Sequence, residues 1–142
     1  MTSFKEQLDA AYQKKVVDRM NRAVRTAGLS IFREVVMATP VDTGRARANW
    51  NIDLNLVDVQ LVNPEAGVHN AKDKKGDYTF DGTNEALAAV ARYKMSDVIY
   101  ISNNLPYINR LNQGTSTQAP ANFVETGVAI GLQQTKEIMG NE

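Results

Sequence analysis

The sequence predicts an α+β fold, with a long N-terminal helix and a C-terminal helix packed on a small, mostly antiparallel sheet. Three patterns predict it. Apolar side chains recur at three- and four-residue steps from Phe4 to Val35, the spacing of one helix face. They alternate with polar ones from Asn51 to Leu56, the period of a half-buried strand. Helical spacing returns from Val124 to Met139. The 142 residues suit a single domain, residues 1–142, that buries a core without disulfides or metals.

The first helix starts at a capping box. Ser3 and Glu6 stand in the S-x-x-E pattern, in which each side chain covers an orphan amide. Phe4, Leu8, Tyr12, Val16, Met20, Val24, Ala27, Ile31 and Val35 mark the apolar stripe. Pro40 ends the helix, because Thr39 ahead of a proline is pushed toward extended geometry. A rod from Ser3 to Ala38 is on the order of 54 Å long at 1.5 Å per residue. A domain of this size has a radius of gyration of only about 14–15 Å. Either the helix bends, with Gly28 the natural place, or one end leaves the core and needs a partner.

After Pro40, Asp42 or Thr43 can cap a short helical turn through Arg45, Arg47 and Asn49, anchored by Trp50. Residues 51–62 read as a strand. Ile52, Leu54 and Leu56 set one phase and Val57, Val59 and Leu61 the other, which predicts a bulge or sharp twist near Leu56–Val57. Residues 63–83 are polar and glycine-punctuated and read as a long exposed loop, within which Tyr78 and Phe80 can form a short strand. Thr83 or Asn84 caps a helix through Leu87, Val90, Ala91 and Met95. Asp97–Ser102, rich in β-branched and aromatic residues, is a second strand. Leu105–Asn112 makes a helical turn or two, and residues 114–120 a loop. In the last helix Gly127 and Gly131 sit one turn apart and permit a neighbouring helix to approach closely. Glu125, Gln133, Gln134 and Lys136 rule out a membrane span there.

Charge balances over the chain, with 16 basic and 16 acidic residues, but not locally. Residues 1–50 hold nine Lys/Arg against five Asp/Glu, a net +4, and residues 51–142 hold seven against eleven, a net −4. Two opposite faces can meet between copies, or the charges are ordinary solvated helix faces. Lys14, Lys15, Arg19, Arg22, Arg25 and Arg33 give the first helix a basic character that could track phosphates, partly neutralised by Asp9, Asp18 and Glu34. Arg45 and Arg47 are better contact candidates, because a short rigid turn orients them.

Recognisable chemistry is sparse. No cysteine is present, so disulfides and thiolate metal sites are excluded. No apolar run has the length of a membrane span or the form of a signal peptide, and cytoplasmic synthesis is expected. His69 is the only histidine, and no G-x-S-x-G elbow accompanies it. Asp73, Asp77 and Asp81 fall every fourth residue, but Lys72, Lys74 and Lys75 oppose a bound cation and the EF-hand pattern is missing. There is no P-loop and no dinucleotide fingerprint. The sequence predicts no catalytic residue, no cofactor and no metal.

What remains is two segments dense in residues that fix backbone geometry: Thr39–Trp50, reading TPVDTGRARANW, and Asn103–Pro120, reading NNLPYINRLNQGTSTQAP. Pro106, Tyr107, Ile108 and Leu111 form either a core plug or an interface anchor. With the strand between them and the closing helix, these segments resemble the tail-completion (head–tail joining, or neck) proteins of tailed bacteriophages. The order of elements is similar over nearly the whole chain. The departure is the insertion-like stretch from Asn63 to Met95, where a simpler hairpin would be expected.

That resemblance implies a non-enzymatic virion component of the neck or tail, made in the host cytoplasm. It implies a homo-oligomeric ring, of about six or twelve copies, at the top of the tail. Other neck, connector and tail proteins would be its partners, with DNA passing through the lumen and no membrane involved. Val41, Asp42, Thr43 and Gly44, with Arg45 and Arg47, and Pro106, Tyr107, Leu111, Asn112 and Gly114 are the candidate interface or motif residues. The alternatives are a tail terminator, a head-completion adaptor, or a small nucleic-acid-binding domain.

Overall fold

Ser3 and Glu6 form the expected capping box. The Ser3 hydroxyl accepts the Glu6 N–H at 3.1 Å, and Glu6 Oε2 accepts the Ser3 N–H at 3.2 Å. Helix continues from there to residue 38 as α1 (Phe4–Tyr12), one wide π-helical turn (Gln13–Val17) and α2 (Asp18–Ala38). The computed structural model describes residues 3–40, 45–57, 83–114 and 121–141. The remaining elements are α3 (Arg45–Ala48), β1 (Trp50–Leu54), α4 (Thr83–Ala91), β2 (Ile99–Asn103), α5 (Ile108–Asn112) and α6 (Phe123–Gly140).

The π turn has a geometric effect that periodicity alone does not announce. In a straight α-helix each four-residue step precesses by about 40°, so a stripe from Phe4 to Val24 would wind through about 200°. The wide turn takes up one extra residue and turns the later part back by about 100°. The Asp18 N–H donates to Gln13 O across it, and the Gln13 side-chain amide braces the same span by donating to Asp18 Oδ1 at 3.1 Å. Phe4, Leu8 and Tyr12 thereby stay in line with Met20, Val24 and Ile31.

Of the two expected solutions to the helix's length, an end that leaves the core is the one found. α1 and the π turn contain no buried residue, whereas Gly28, Ser30, Phe32, Val35 and Val36 of α2 are buried. The α-helix runs through Gly28 without interruption. That glycine is a close-approach site: a Cβ there would lie 3.0 Å from Ile99 Cδ1 and 3.4 Å from Val90 Cγ1.

α6 runs antiparallel along α2. Gly127 lies against Val35, Gly131 against Ile31, and the Arg19 guanidinium donates to Met139 O at 3.0 Å near the far end of α6. A Cβ on Gly131 would stand 2.7 Å from the Ile31 backbone. The glycine pair in the sequence is thus a helix-to-helix contact. α2 ends as expected, with Thr39 extended (φ −70°, ψ 135°) and its hydroxyl donating to Val35 O at 2.6 Å.

α4 and a two-stranded antiparallel sheet pack beside α6 on the buried face of α2. β1 and β2 pair Trp50 with Asn103, Ile52 with Ile101 and Leu54 with Ile99. Trp50 and Ile52 join Phe32, Val35, Val36, Ala86, Ala89, Val90 and Phe123 in the core. Arg25 ties the layers together, donating through Nε and Nη2 to Tyr93 O beyond the end of α4. The α+β arrangement therefore matches the sequence, with the sheet at its minimum size among the described residues.

Several boundaries differ from expectation, among them that the helix expected from Leu105 starts at Ile108. β1 stops at Leu54, because Asn55 takes a left-handed conformation (φ 62°) and its side chain grips the segment just before β2. Asn55 Nδ2 donates to Asp97 Oδ1 at 3.0 Å, and Asn55 Oδ1 accepts the Val98 N–H at 2.8 Å. The phase change expected near Leu56–Val57 falls on residues past this stop, and both side chains are exposed. The continuation from residue 58 to 62 lies outside the described residues, as do the loop and its Tyr78 and Phe80. α4 ends at Ala91, so Met95 is not on it. β2 starts at Ile99 rather than Asp97, since Asp97 is engaged by Asn55 and by the Lys94 N–H at 2.9 Å.

Candidate assembly surface

The two motif segments, far apart in sequence, meet at one corner. α3 packs its Ala46 and Ala48 inward, and Asn49 and Trp50 that follow are also buried. Trp50 Nε1 donates to Thr39 Oγ1 at 2.8 Å, so one threonine hydroxyl closes α2 and fixes the indole. Asn49 Nδ2 donates to Arg45 O at 2.8 Å. From the second segment, Asn103 Nδ2 donates to Ala46 O at 2.9 Å, while Asn103 Oδ1 accepts the Leu105 N–H at 3.1 Å. Asn103 is the clamp between the segments.

Arg45 and Arg47 have different surroundings. The Arg47 guanidinium donates to Met37 O at 2.9 Å and Thr39 O at 3.1 Å, covering carbonyls that the end of α2 leaves without partners. Burial pulls its pKa below the ordinary value, though guanidinium stays charged in proteins. Arg45 faces the second segment: its positive charge acts on the Tyr107 phenol, lowering its pKa, while the larger effect of partial burial raises it. Pro106 and Tyr107 are exposed at this rim, beside buried Leu105. Ile108 and Leu111 pack against the core.

Asn112 joins α5 to the start of α6. Its Oδ1 accepts the Val124 N–H at 2.9 Å, its Nδ2 donates to the Glu125 carboxylate at 2.9 and 3.1 Å, and its carbonyl accepts the Asn122 N–H at 2.6 Å. Gly114 adopts φ 98°, a conformation that a side chain would strain, and stands against Ala121. Val41, Asp42, Thr43 and Gly44 lie outside the described residues, as do His69 and Asp73, Asp77 and Asp81.

The structure thus brings Arg45, Arg47, Pro106 and Tyr107 to one corner and sets Asn112 and Gly114 at the α5–α6 joint. Thr39, Asn49 and Asn103 do as much to build the corner, although the sequence did not mark them as candidate interface residues. Their one local signal is polarity at the ends of a predicted helix or strand, where backbone groups need partners. Of the basic residues on the first helix, Arg19 and Arg25 hold internal carbonyls. Among the described residues no helix is long and apolar enough to cross a membrane.

A sequence family described as "Bacteriophage HK97-gp10, putative tail-component" matches residues 2–127 of the chain. No curated protein and no solved structure matches it.

Proposed function

Because the chain belongs to the HK97-gp10-like family of bacteriophage tail components, we propose that it acts at the phage neck, completing the tail and joining it to the head as a homo-oligomeric ring. The family match over residues 2–127 is the observation that carries this reading. A closed ring repeats one heterologous contact, in which a face of each copy meets a different face of the next. The corner formed by α3 and the Leu105–Asn112 segment offers one such face. Its exposed Tyr107 stands near the Arg45 charge, and tyrosine and arginine are the residue types that most often anchor protein contacts. The net +4 of residues 1–50 and net −4 of residues 51–142 favour attraction between unlike edges.

On this reading the protein does no covalent chemistry. Its work is burial of surface against neighbouring copies and against other neck, connector and tail proteins, around a lumen that passes DNA. Internal bonds of Arg19, Arg25 and Arg47 to backbone carbonyls weigh against a nucleic-acid-binding helix as the main role.

Particles assembled without this chain should accumulate filled heads and finished tails that do not join. Adding the purified protein should restore infectious particles. Tails of uncontrolled length would move the role to tail termination, and full infectivity without the chain would end the proposal.

A further inference from the structure

The segment that overhangs the packed body carries an apolar stripe. Phe4 is 79% exposed, Leu8 57%, Tyr12 58%, Val16 37% and Met20 52%. α6 covers α2 only as far as the Arg19–Met139 contact, and the stripe continues beyond it. We propose that the segment from Phe4 to Met20 is a self-association surface, covered by the same segment of a second copy running antiparallel.

Area, shape and charge each favour that occupant. The five side chains leave on the order of 600 Å² of surface open, as much as the largest apolar patch on a typical monomer. Two such stripes face to face bury at most about 1,200 Å², the lower edge of the range of stable interfaces. The stripe is straight and about 25 Å long at 1.5 Å per residue, and a second helix with the same stripe matches that shape. Of the other exposed apolar side chains of the described residues, Leu87, Tyr100 and Leu132 sit on separate elements and Met37 at the opposite end of α2.

Charge selects the direction. Residues 3–12 carry Lys5 against Glu6 and Asp9, a net −1, and residues 13–22 carry Lys14, Lys15, Arg19 and Arg22 against Asp18, a net +3. An antiparallel pair sets the net-negative half of each helix beside the net-positive half of the other. A parallel pair would stack Lys14 and Lys15 on their own copies. Centred on Tyr12, the antiparallel register also sets Phe4 level with Met20 and Leu8 level with Val16. This two-fold contact closes at two copies, so it uses a different surface from the ring contact and does not depend on it.

The chain has no cysteine, so introduced ones report alone. In the full chain, Tyr12→Cys should form a disulfide-linked dimer on mild oxidation. Phe4→Cys alone should not, but should cross-link when mixed with Met20→Cys. By sedimentation the native protein should dimerise, and Leu8→Glu or Tyr12→Glu should raise the dissociation constant at least about tenfold. Helicity and melting temperature of the monomer should hold, because neither side chain is buried. A native protein that stays monomeric with its stripe open to labelling would overturn the proposal. So would a dimer indifferent to Leu8→Glu, Phe4→Cys linking to itself, or a stripe covered only when another virion protein is added. Failure of heads and tails to join, by contrast, bears on the ring alone.

Discussion

Thr39 shows how one side chain can set a boundary and a core position together. Its hydroxyl donates to Val35 O and accepts from the Trp50 indole, in a site from which water is excluded. Thr39→Val keeps the shape and removes both bonds, leaving the indole N–H buried without a partner. The expected cost is about 1–3 kcal/mol, read as a lower denaturation midpoint with an unchanged slope. Thr39→Ser should recover most of it. Tyr107 makes a pH-dependent contribution. Partial burial holds its folded-state pKa above the ordinary value of 10.0, so its contribution is complete below that pH and is lost as pH rises through the folded value. The native chain should therefore lose stability in alkali more steeply than Tyr107→Phe. Asp97 runs the opposite way. The Asn55 amide, then the Lys94 N–H, hold its carboxyl below the ordinary 3.8, so its contribution is present above that value and lost as pH falls. Asp97→Asn should flatten the acid limb of the stability curve.

Between elements, α6 and α2 approach closely at Gly127 and Gly131. The glycines there act by having no Cβ, and the contact fixes both the separation and the register of the two helices. Gly131→Ala puts a methyl group 2.7 Å from the Ile31 backbone, which rotamer changes cannot relieve. The helices must move apart, at a cost of about 1–3 kcal/mol. Gly140→Ala, on the same helix, meets nothing within 4 Å and should be neutral or stabilising by up to about 1 kcal/mol. Thermal melts of the two variants, compared side by side, separate close packing from helix propensity. The π turn plays a comparable part earlier in the chain: it keeps one apolar face continuous from the exposed α1 into the buried part of α2.

At the scale of the whole molecule, α2 carries two layers, α6 and α4 with the sheet, on adjoining parts of one buried face. α1 belongs to neither layer. Since it contributes no buried residue, deleting residues 3–12 should change the unfolding free energy of the packed body by less than about 1 kcal/mol. The same deletion removes most of the exposed stripe and should abolish dimerisation. An equal stability loss and dimer loss would mean that α1 packs on its own body in solution. The body presents the Arg45–Tyr107 corner and the overhang presents the stripe, so the proposed ring contact and the proposed pairing should be separable by mutation.

The sequence by itself determined what depends on near neighbours. The Ser3–Glu6 cap, the stop at Thr39 before Pro40, the helical and strand periods and the glycine step in α6 all act within a turn or two of chain, and each was legible. The excess length of the first helix was legible too, since it follows from residue count alone. Tertiary structure decided how the stripe divides into a buried and an exposed part, because burial depends on where α6 ends. It decided the end of β1, where Asn55 is held by Asp97 and Val98 more than forty residues away. It also decided that Arg47 covers a helix end while Arg45 stands near Tyr107. Periodicity reports which face of an element is apolar. What lies against that face depends on contacts between distant residues, which the local sequence does not encode.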